Sequence, residues 1–123
     1  KLFVQFSNCY GPANKTGNLV SYTIGQLIKN EPATFGPARE PYDFIYVDDL
    51  IEAACRLGKV SNPARAYFLG SGTPAILSDY LNRIGKAAGH PELIRIGERP
   101  DDGIRYTWEM MDNSQLVRDI GPY

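Results

Sequence analysis

The stretch SNCYGP, residues 7–12, decides how this chain is interpreted. Residues 2–6 before it (LFVQF) are rich in β-branched and aromatic side chains, which predicts a strand. Gly11 and Pro12 end that strand, because Pro has no N–H for a ladder and Gly favours a turn. In open α/β sheets, ligands bind at the carboxyl ends of strands. The stretch is therefore either the mouth of a binding site or a strand that ends in a turn, and spacing alone favours the turn.

The composition is that of one ordinary globular domain. Of 123 residues, 43% are hydrophobic and 22% are charged, and 13 basic against 14 acidic side chains leave a net charge of -1. This balance argues against a nucleic-acid or membrane-surface partner. No apolar run approaches the roughly 20 residues of a membrane-spanning helix, and no signal peptide precedes the first strand, so we expect a cytoplasmic protein.

The cysteines and the histidine predict no special chemistry. Cys9 and Cys55 are isolated and form no CxxC pair, which fits a reducing cytosol. Cys55 is predicted to be a small core residue of a helix. His90, the single histidine, precedes Pro91 and has no ligand spacing around it. We interpret it as a loop residue and expect no metal site.

Helical and extended patterns alternate along the chain, which predicts the α/β class. Strands are predicted at residues 2–6, 33–36, 42–47, 66–69 and 93–96, and helices at residues 17–30, 48–58, 77–88 and 113–119. Apolar spacing assigns buried faces to two of these helices. The predicted buried residues are Leu50, Ile51, Ala54 and Leu57 in the second helix and Leu77, Leu81, Ile84 and Ala88 in the third.

Polar residues at two helix starts predict caps. Thr16 or Asn18 is expected to cap the first helix. Asp48 and Asp49 open the second helix, where one would cap an N–H group and both suit the positive end of the helix dipole. The same pair can also be interpreted as an acid/base site. Capping is preferred because it explains both residues at this place.

A glycine pair resembles the outline of a dinucleotide fingerprint. Residues 70–75 (GSGTPA) match G-x-G-x-x-A between a strand and a helix. The preceding strand is short, and the turn continues to Ile76 before helical spacing begins. In a true fingerprint the helix starts at once, so that its N-terminus meets the pyrophosphate. We therefore do not favour cofactor binding at Gly70 and Gly72.

Four ordered motifs carry a family resemblance. Residues 7–12 (SNCYGP), 42–49 (YDFIYVDD), 67–72 (YFLGSG) and 99–102 (RPDD) look like successive signatures of the extended short-chain dehydrogenases/reductases. These are NAD-dependent sugar-nucleotide epimerases and dehydratases. The resemblance covers nearly the whole chain, and four motifs in the right order are far more specific than any one of them.

The resemblance implies the later, substrate-binding part of such an enzyme. The family's glycine-rich fingerprint and its Tyr-x-x-x-Lys should precede these motifs, and neither occurs in the 123 residues. Residues 1–123 are thus expected to be a single fragment without the N-terminal dinucleotide-binding part, with a few strands that would complete a Rossmann-type sheet. NAD or NADP would belong to the full-length parent. The fragment alone is expected to bind no cofactor and to be inactive.

The resemblance also implies a nucleotide-sugar site. Asn8 would hydrogen-bond the sugar nucleotide near its phosphates, and Arg99 would pair with the diphosphate. Phe6 and Ser7 would lie against the nicotinamide. The implied substrate-binding residues are Asn8, Lys15, Asn18, Phe35, Arg39, Arg99 and Arg105.

One departure from the family pattern affects the predicted charge of this site. Tyr42 stands where the family usually has a phosphate-binding Arg, so Arg39 or Arg105 would have to substitute for the lost charge. We therefore expect Arg99 and one of these two arginines to meet Asn8 in one cleft.

Three functions follow from these patterns. The leading one is the nucleoside-diphosphate-sugar-binding part of an NAD(P)-dependent epimerase or dehydratase. The alternative is a non-catalytic nucleotide-sugar-binding or regulatory module, and a weaker one is a stand-alone dinucleotide domain. The expected partners are the nucleotide sugar and the missing dinucleotide-binding domain. Because strands 2–6 and 66–69 would expose apolar edges and faces in isolation, we also expect either self-association, as a homo-oligomer, or modest stability.

Overall fold

The computed structural model describes residues 2–14 and 17–123. They form two compact units, which the chain enters in turn. The first unit contains residues 2–12, 42–74 and 107–123, and the second contains residues 13–14, 17–41 and 75–106. Helices alternate with short strands that pair in parallel, which confirms the predicted α/β class.

The elements lie close to the predicted positions. The strands are β1 (Phe3–Phe6), β2 (Asn8–Tyr10), β3 (Ala33–Phe35), β4 (Pro41–Tyr42), β5 (Phe44–Tyr46), β6 (Ala66–Leu69), β7 (Ala75–Ile76) and β8 (Ile94–Ile96). The helices are α1 (Leu19–Ile28), α2 (Val47–Leu57), α3 (Leu77–Ala87) and α4 (Ser114–Ile120), with 3₁₀ turns at Pro91–Leu93 and Trp108–Met111.

The first unit is built on two parallel strand pairs. β1 pairs with β6, placing Val4 opposite Tyr67, and β2 pairs with β5, placing Asn8 opposite Phe44. Helices α2 and α4 pack on these strands. The buried core of this unit consists of Ile45, Ala53, Leu57, Tyr67, Leu69 and Leu116.

Extended backbone ends before Gly11 and Pro12, as predicted, but the residues of SNCYGP that precede them form a second strand that the sequence did not predict. The chain changes partner at Ser7, whose N–H donates to Leu69 O (3.1 Å), while the N–H of Asn8 donates to Asp43 O (3.2 Å). Extended backbone then continues through Tyr10 as β2. The backbone stays extended because the N–H of Asn8 donates to Asp43 and the following residues pair with β5.

Helix α2 corrects several predictions. Its N-cap residue is Tyr46 and has no side-chain cap hydrogen bond, so Asp48 and Asp49 lie in the first turn and contribute only charge at the positive end of the dipole. The predicted buried face is partly wrong, because the core stripe runs through Ala53 and Leu57. Ile51 is 53% exposed, and Ala54 and Cys55 are exposed as well.

The cause of the wrong face is the spacing of apolar residues along α2. Leu50 packs against the core, and the residues three and seven positions later, Ala53 and Leu57, share its side of the helix. Ile51 and Ala54 are each one step, about 100°, further round. The predicted Cys55 core position is wrong for the same reason.

The second unit contains α1, α3 and the parallel pair β3–β8. Asn18 caps α1 as predicted, since its Oδ1 accepts from the N–H of Ser21 at 2.8 Å. The other predicted cap, Thr16, lies outside the described residues. Buried side chains of this unit include Thr23, Leu27, Ala33, Phe35, Leu77 and Leu81.

One predicted core residue of α3 is wrong. Ala88 is exposed at the C-cap position, and Gly85 is buried instead. A Cβ on Gly85 would lie 2.6 Å from Ile94 Cγ1, so α3 can approach β8 closely only with a glycine there.

Candidate functional site

Arg99 is held against the surface of the second unit by three contacts. Its Nε donates to Thr34 Oγ1 at 2.8 Å, its Nη2 donates to the Tyr22 hydroxyl at 3.1 Å, and its Cζ lies 5.4 Å from the Tyr22 ring centroid. The guanidinium is therefore positioned before any ligand arrives. In the described part of the chain no carboxylate forms an ion pair with Arg99, so its remaining N–H groups can serve an anion.

Tyr22 joins this arginine to strand β3. Its hydroxyl accepts from the N–H of Thr34 at 3.2 Å as well as from Arg99. Hydrogen bonds from Thr34, together with the positive charge of Arg99, lower the pKa of the Tyr22 phenol from its ordinary value. The acceptor role of this hydroxyl is therefore already filled by protein donors.

Phe35 supports this cluster from within the unit. It is buried, and its ring meets the Tyr22 ring edge-on at 6.0 Å between centroids. Its carbonyl accepts the N–H groups of Gly97 and Arg99, both at 3.0 Å. The sequence prediction placed Phe35 at the wall of the nucleotide site, and in the structure it holds the strand and the arginine loop together.

Arg105 is engaged with two carboxylates. It forms ion pairs with Asp101 (2.7 Å) and Glu40 (3.3 Å). The hydrogen bond from Arg105 lowers the pKa of Asp101 to about 2, and the charge of exposed Arg39 contributes. Of the two arginines proposed to replace the missing family Arg, Arg105 is thus already neutralised, whereas Arg39 only adds its field to Asp101.

Asn8, Ser7 and Phe6 lie in the first unit. The Asn8 side-chain Nδ2 donates to Asp43 O at 3.3 Å. Ser7 Oγ is buried and forms no hydrogen bond within the described residues, and Phe6 beside it is exposed. Asn8 and the arginines belong to different units, so their meeting in one cleft stays a prediction. Lys15 lies outside the described residues.

The first unit also contains a buried carboxylate that sequence reasoning missed. Asp43 is 1% exposed, and its two oxygens accept from the N–H of Ser71 (2.9 Å) and from the Ser71 hydroxyl. The carbonyl of the preceding Gly70 accepts from Asn113 Nδ2 at 3.3 Å and from the Tyr123 hydroxyl. The available signal was a single acidic residue inside an aromatic strand.

This network also removes support from the dinucleotide fingerprint at residues 70–75. The N–H of Ser71 is taken by Asp43, so it cannot serve a phosphate in this conformation. β7 follows, and α3 begins only at Leu77. The glycine pair belongs to a turn held by a buried carboxylate.

Solved structures with the same fold confirm the resemblance that the motifs indicated. The neighbours are NAD-dependent sugar-nucleotide dehydratases and epimerases, and this chain spans part of each. Identities below 25% mean that this likeness concerns the fold.

Two neighbours illustrate the match. A dTDP-glucose 4,6-dehydratase from Streptomyces venezuelae, solved with NAD bound, has a TM-score of 0.80 and 16% identity over 98% of this chain and 37% of its own length. A UDP-glucuronic acid 4-epimerase from Bacillus cereus, in complex with UDP-glucuronic acid and NAD, has a TM-score of 0.80 and 20% identity over 99% of this chain and 40% of its own.

A curated relative points the same way. CDP-abequose synthase of Salmonella muenchen is 31% identical over 70 residues, which are 57% of this chain and 24% of the relative. The chain thus spans about a quarter of that relative's length. No protein-family model matches the chain. Within the described ranges, no helix has the length and apolar character needed to cross a membrane.

Proposed function

We propose that this chain is the nucleoside-diphosphate-sugar-binding part of an NAD(P)-dependent sugar-nucleotide epimerase or dehydratase of the cytoplasm. The observation that carries the proposal is the preorganised guanidinium of Arg99. By the resemblance of its motif it would correspond to the family's late arginine, and in the structure it is fixed by Thr34 and Tyr22 and has no carboxylate partner among the described residues. Such a fixed, planar donor suits diphosphate oxygens.

The cofactor would belong to the whole enzyme. The neighbours that contain NAD do so as longer chains, and NAD would supply oxidation of a sugar hydroxyl to a keto group. Two features of this chain would fit a contact with the nicotinamide: the exposed ring of Phe6 and the hydroxyl of Ser7, which forms no hydrogen bond within the described residues. No Tyr-x-x-x-Lys occurs in the 123 residues, so the proton-transfer groups would come from elsewhere.

The same absence of Tyr-x-x-x-Lys from the sequence favours a second candidate, a non-catalytic nucleotide-sugar-binding or regulatory module. The reading frame upstream of Lys1 separates the two. A glycine-rich fingerprint followed by Tyr-x-x-x-Lys supports the enzyme, and their absence supports the module.

Calorimetric titration tests the shared binding step. We expect UDP, dTDP, CDP or GDP to bind the purified chain, uridine to bind more weakly than UDP, and the affinity to fall as salt is raised. Arg99→Ala should weaken diphosphate binding by about 1.5–3 kcal/mol, roughly ten- to a hundredfold. Arg95→Ala is the matched control, because Arg95 is another exposed arginine of the same unit and pairs with Glu98 (3.6 Å).

If none of these diphosphates binds better than uridine, or if Arg99→Ala behaves like Arg95→Ala, Arg99 does not bind a diphosphate.

A further inference from the structure

The Tyr22 hydroxyl lies among donors of Thr34 and Arg99. Its oxygen accepts hydrogen bonds from the N–H of Thr34 (3.2 Å) and from Arg99 Nη2 (3.1 Å). A phenol oxygen has two lone pairs and one proton, and here protein donors occupy the acceptor side. The Thr34 hydroxyl also hydrogen-bonds Tyr22 and is the acceptor that the described residues offer to its O–H, and an anionic phosphate oxygen is a stronger acceptor than this neutral hydroxyl.

The environment of Tyr22 makes this O–H a strong donor. The donors around its oxygen and the nearby guanidinium favour the phenolate, which lowers the pKa of the group and polarises the O–H bond. Hydrogen bonds to an anion are stronger than those between neutral groups. An acidic O–H beside an arginine is thus matched to an acceptor that carries negative charge.

The aromatic ring that carries this donor is held in place by packing. The Tyr22 ring is trapped between the edge contact with buried Phe35 and the guanidinium of Arg99 above it. The same guanidinium donates from Nε to Thr34 and from Nη2 to Tyr22. Its Nη1 and the second Nη2 hydrogen remain to donate to a ligand. These remaining Arg99 donors thus lie beside the Tyr22 hydroxyl.

We propose that Tyr22 is a second anion-binding residue of the site, donating its O–H to the phosphate group that Arg99 binds. This inference deepens the proposed function and rests on it. Tyr22 would act on the diphosphate directly, besides holding Arg99 in place. Thr34 would have the holding role alone, because its N–H and hydroxyl are turned toward Tyr22 and Arg99.

The test measures UDP binding by Tyr22→Phe, which keeps the ring and the cation–π contact but removes the O–H. We expect about tenfold weaker UDP binding and unchanged uridine binding. Tyr80→Phe is the matched control, because Tyr80 lies in the same unit and also carries an arginine over its ring, with Arg83 Cζ at 6.0 Å. It should leave the affinity for UDP unchanged.

A second background separates direct donation from positioning of Arg99. Tyr22→Phe is combined with Arg99→Ala, and UDP binding is followed by saturation-transfer NMR, which detects weak complexes. If Tyr22 donates to the phosphate, its loss weakens binding further in this background. If Tyr22 acts only through Arg99, its loss is silent there, and the inference is wrong.

The failures of the two proposals remain distinguishable. When Arg99→Ala leaves UDP affinity intact, the proposed function falls and this inference falls with it. When Arg99→Ala weakens UDP binding but Tyr22→Phe does not, the proposed function stands and Tyr22 is only part of the scaffold.

Discussion

Asp43 places a charged group where residue-level rules would put an apolar one. A buried carboxylate is costly unless it is hydrogen-bonded, and here Ser71 supplies both donors. The main-chain carbonyl of Asp43 accepts from the backbone N–H and the side-chain Nδ2 of Asn8. One residue thus fixes the turn after β6 and the start of β2.

This arrangement requires the absence of a side chain at Gly70. A Cβ there would collide with the Asp43 carboxylate and with the Phe68 ring. We expect Gly70→Ala to lower the free energy of unfolding by about 1–3 kcal/mol, measured by urea denaturation. Gly25→Ala in α1 is the control: a Cβ there meets no described atom within 4 Å, and helix propensity should raise the stability by about 0.5–1 kcal/mol.

The sign of the two changes is the informative result. If Gly70→Ala is as stable as the parent chain, the close approach of Gly70 to Asp43 is not present in solution. The sequence could not predict this contact, because Asp43 and Gly70 are far apart in the chain and nothing local to either pairs them. It could predict the cap at Asn18, since that interaction spans three residues.

Local sequence patterns predicted which segments are helices or strands better than they predicted which face of each helix is buried. The strand before α2 and the helix itself were expected, but α2 begins directly after β5, with no polar residue between them to act as a cap. β2 was missed, because a strand that changes partner at Ser7 has no sequence signal apart from its continued extended character. The Arg99–Thr34 contact links residues 65 positions apart and was likewise invisible.

The ion pair between Arg105 and Asp101 makes the stability of the loop that carries Arg99 depend on pH. Because the Arg105 hydrogen bond lowers the pKa of Asp101 to about 2, below its ordinary 3.8, the pair stabilises the loop above pH ~4 and this contribution is lost as the pH falls from about 4 to about 2. NMR titration of the Asp101 carboxyl carbon should show a midpoint near 2. Arg105→Gln should move the midpoint up toward 3.8.

Arg95→Gln provides the control for this titration, since Arg95 pairs with Glu98 instead. It should leave the Asp101 midpoint where it was. A midpoint near 3.8 in the unaltered chain would mean that the Arg105–Asp101 pair does not persist in solution.

β1 leaves large apolar side chains exposed in the first unit. Phe3 is 66% exposed and Phe6 is 56% exposed, and within the described residues β1 pairs with β6 alone. Parallel strands are usually covered on both faces. The fold class and the family likeness were predictable because they depend on the order of motifs, whereas the division into two interleaved units depends on pairings between distant segments.

We expect the isolated chain to self-associate through β1. Sedimentation velocity should show an average sedimentation coefficient that rises with concentration, because exposed apolar strands attract further strands. Replacing Phe3 and Phe6 together with Ser should abolish the rise. Ile28→Ser is the control, since Ile28 is 80% exposed on helix α1. A chain that stays monomeric at high concentration, or a variant that still associates, would exclude β1 as the contact.

Three segments of the chain form the first unit and two form the second. The unit whose synthesis begins first is therefore not the one whose synthesis ends first. β1 is synthesised before the other described elements, yet the core behind it also needs Leu116, Ile120 and Tyr123 from the far end of these residues. The second unit has β8, its last strand, before α4 is made. During translation the second unit can therefore form before the core of the first unit is complete, and we expect chaperones to bind the nascent chain in that interval.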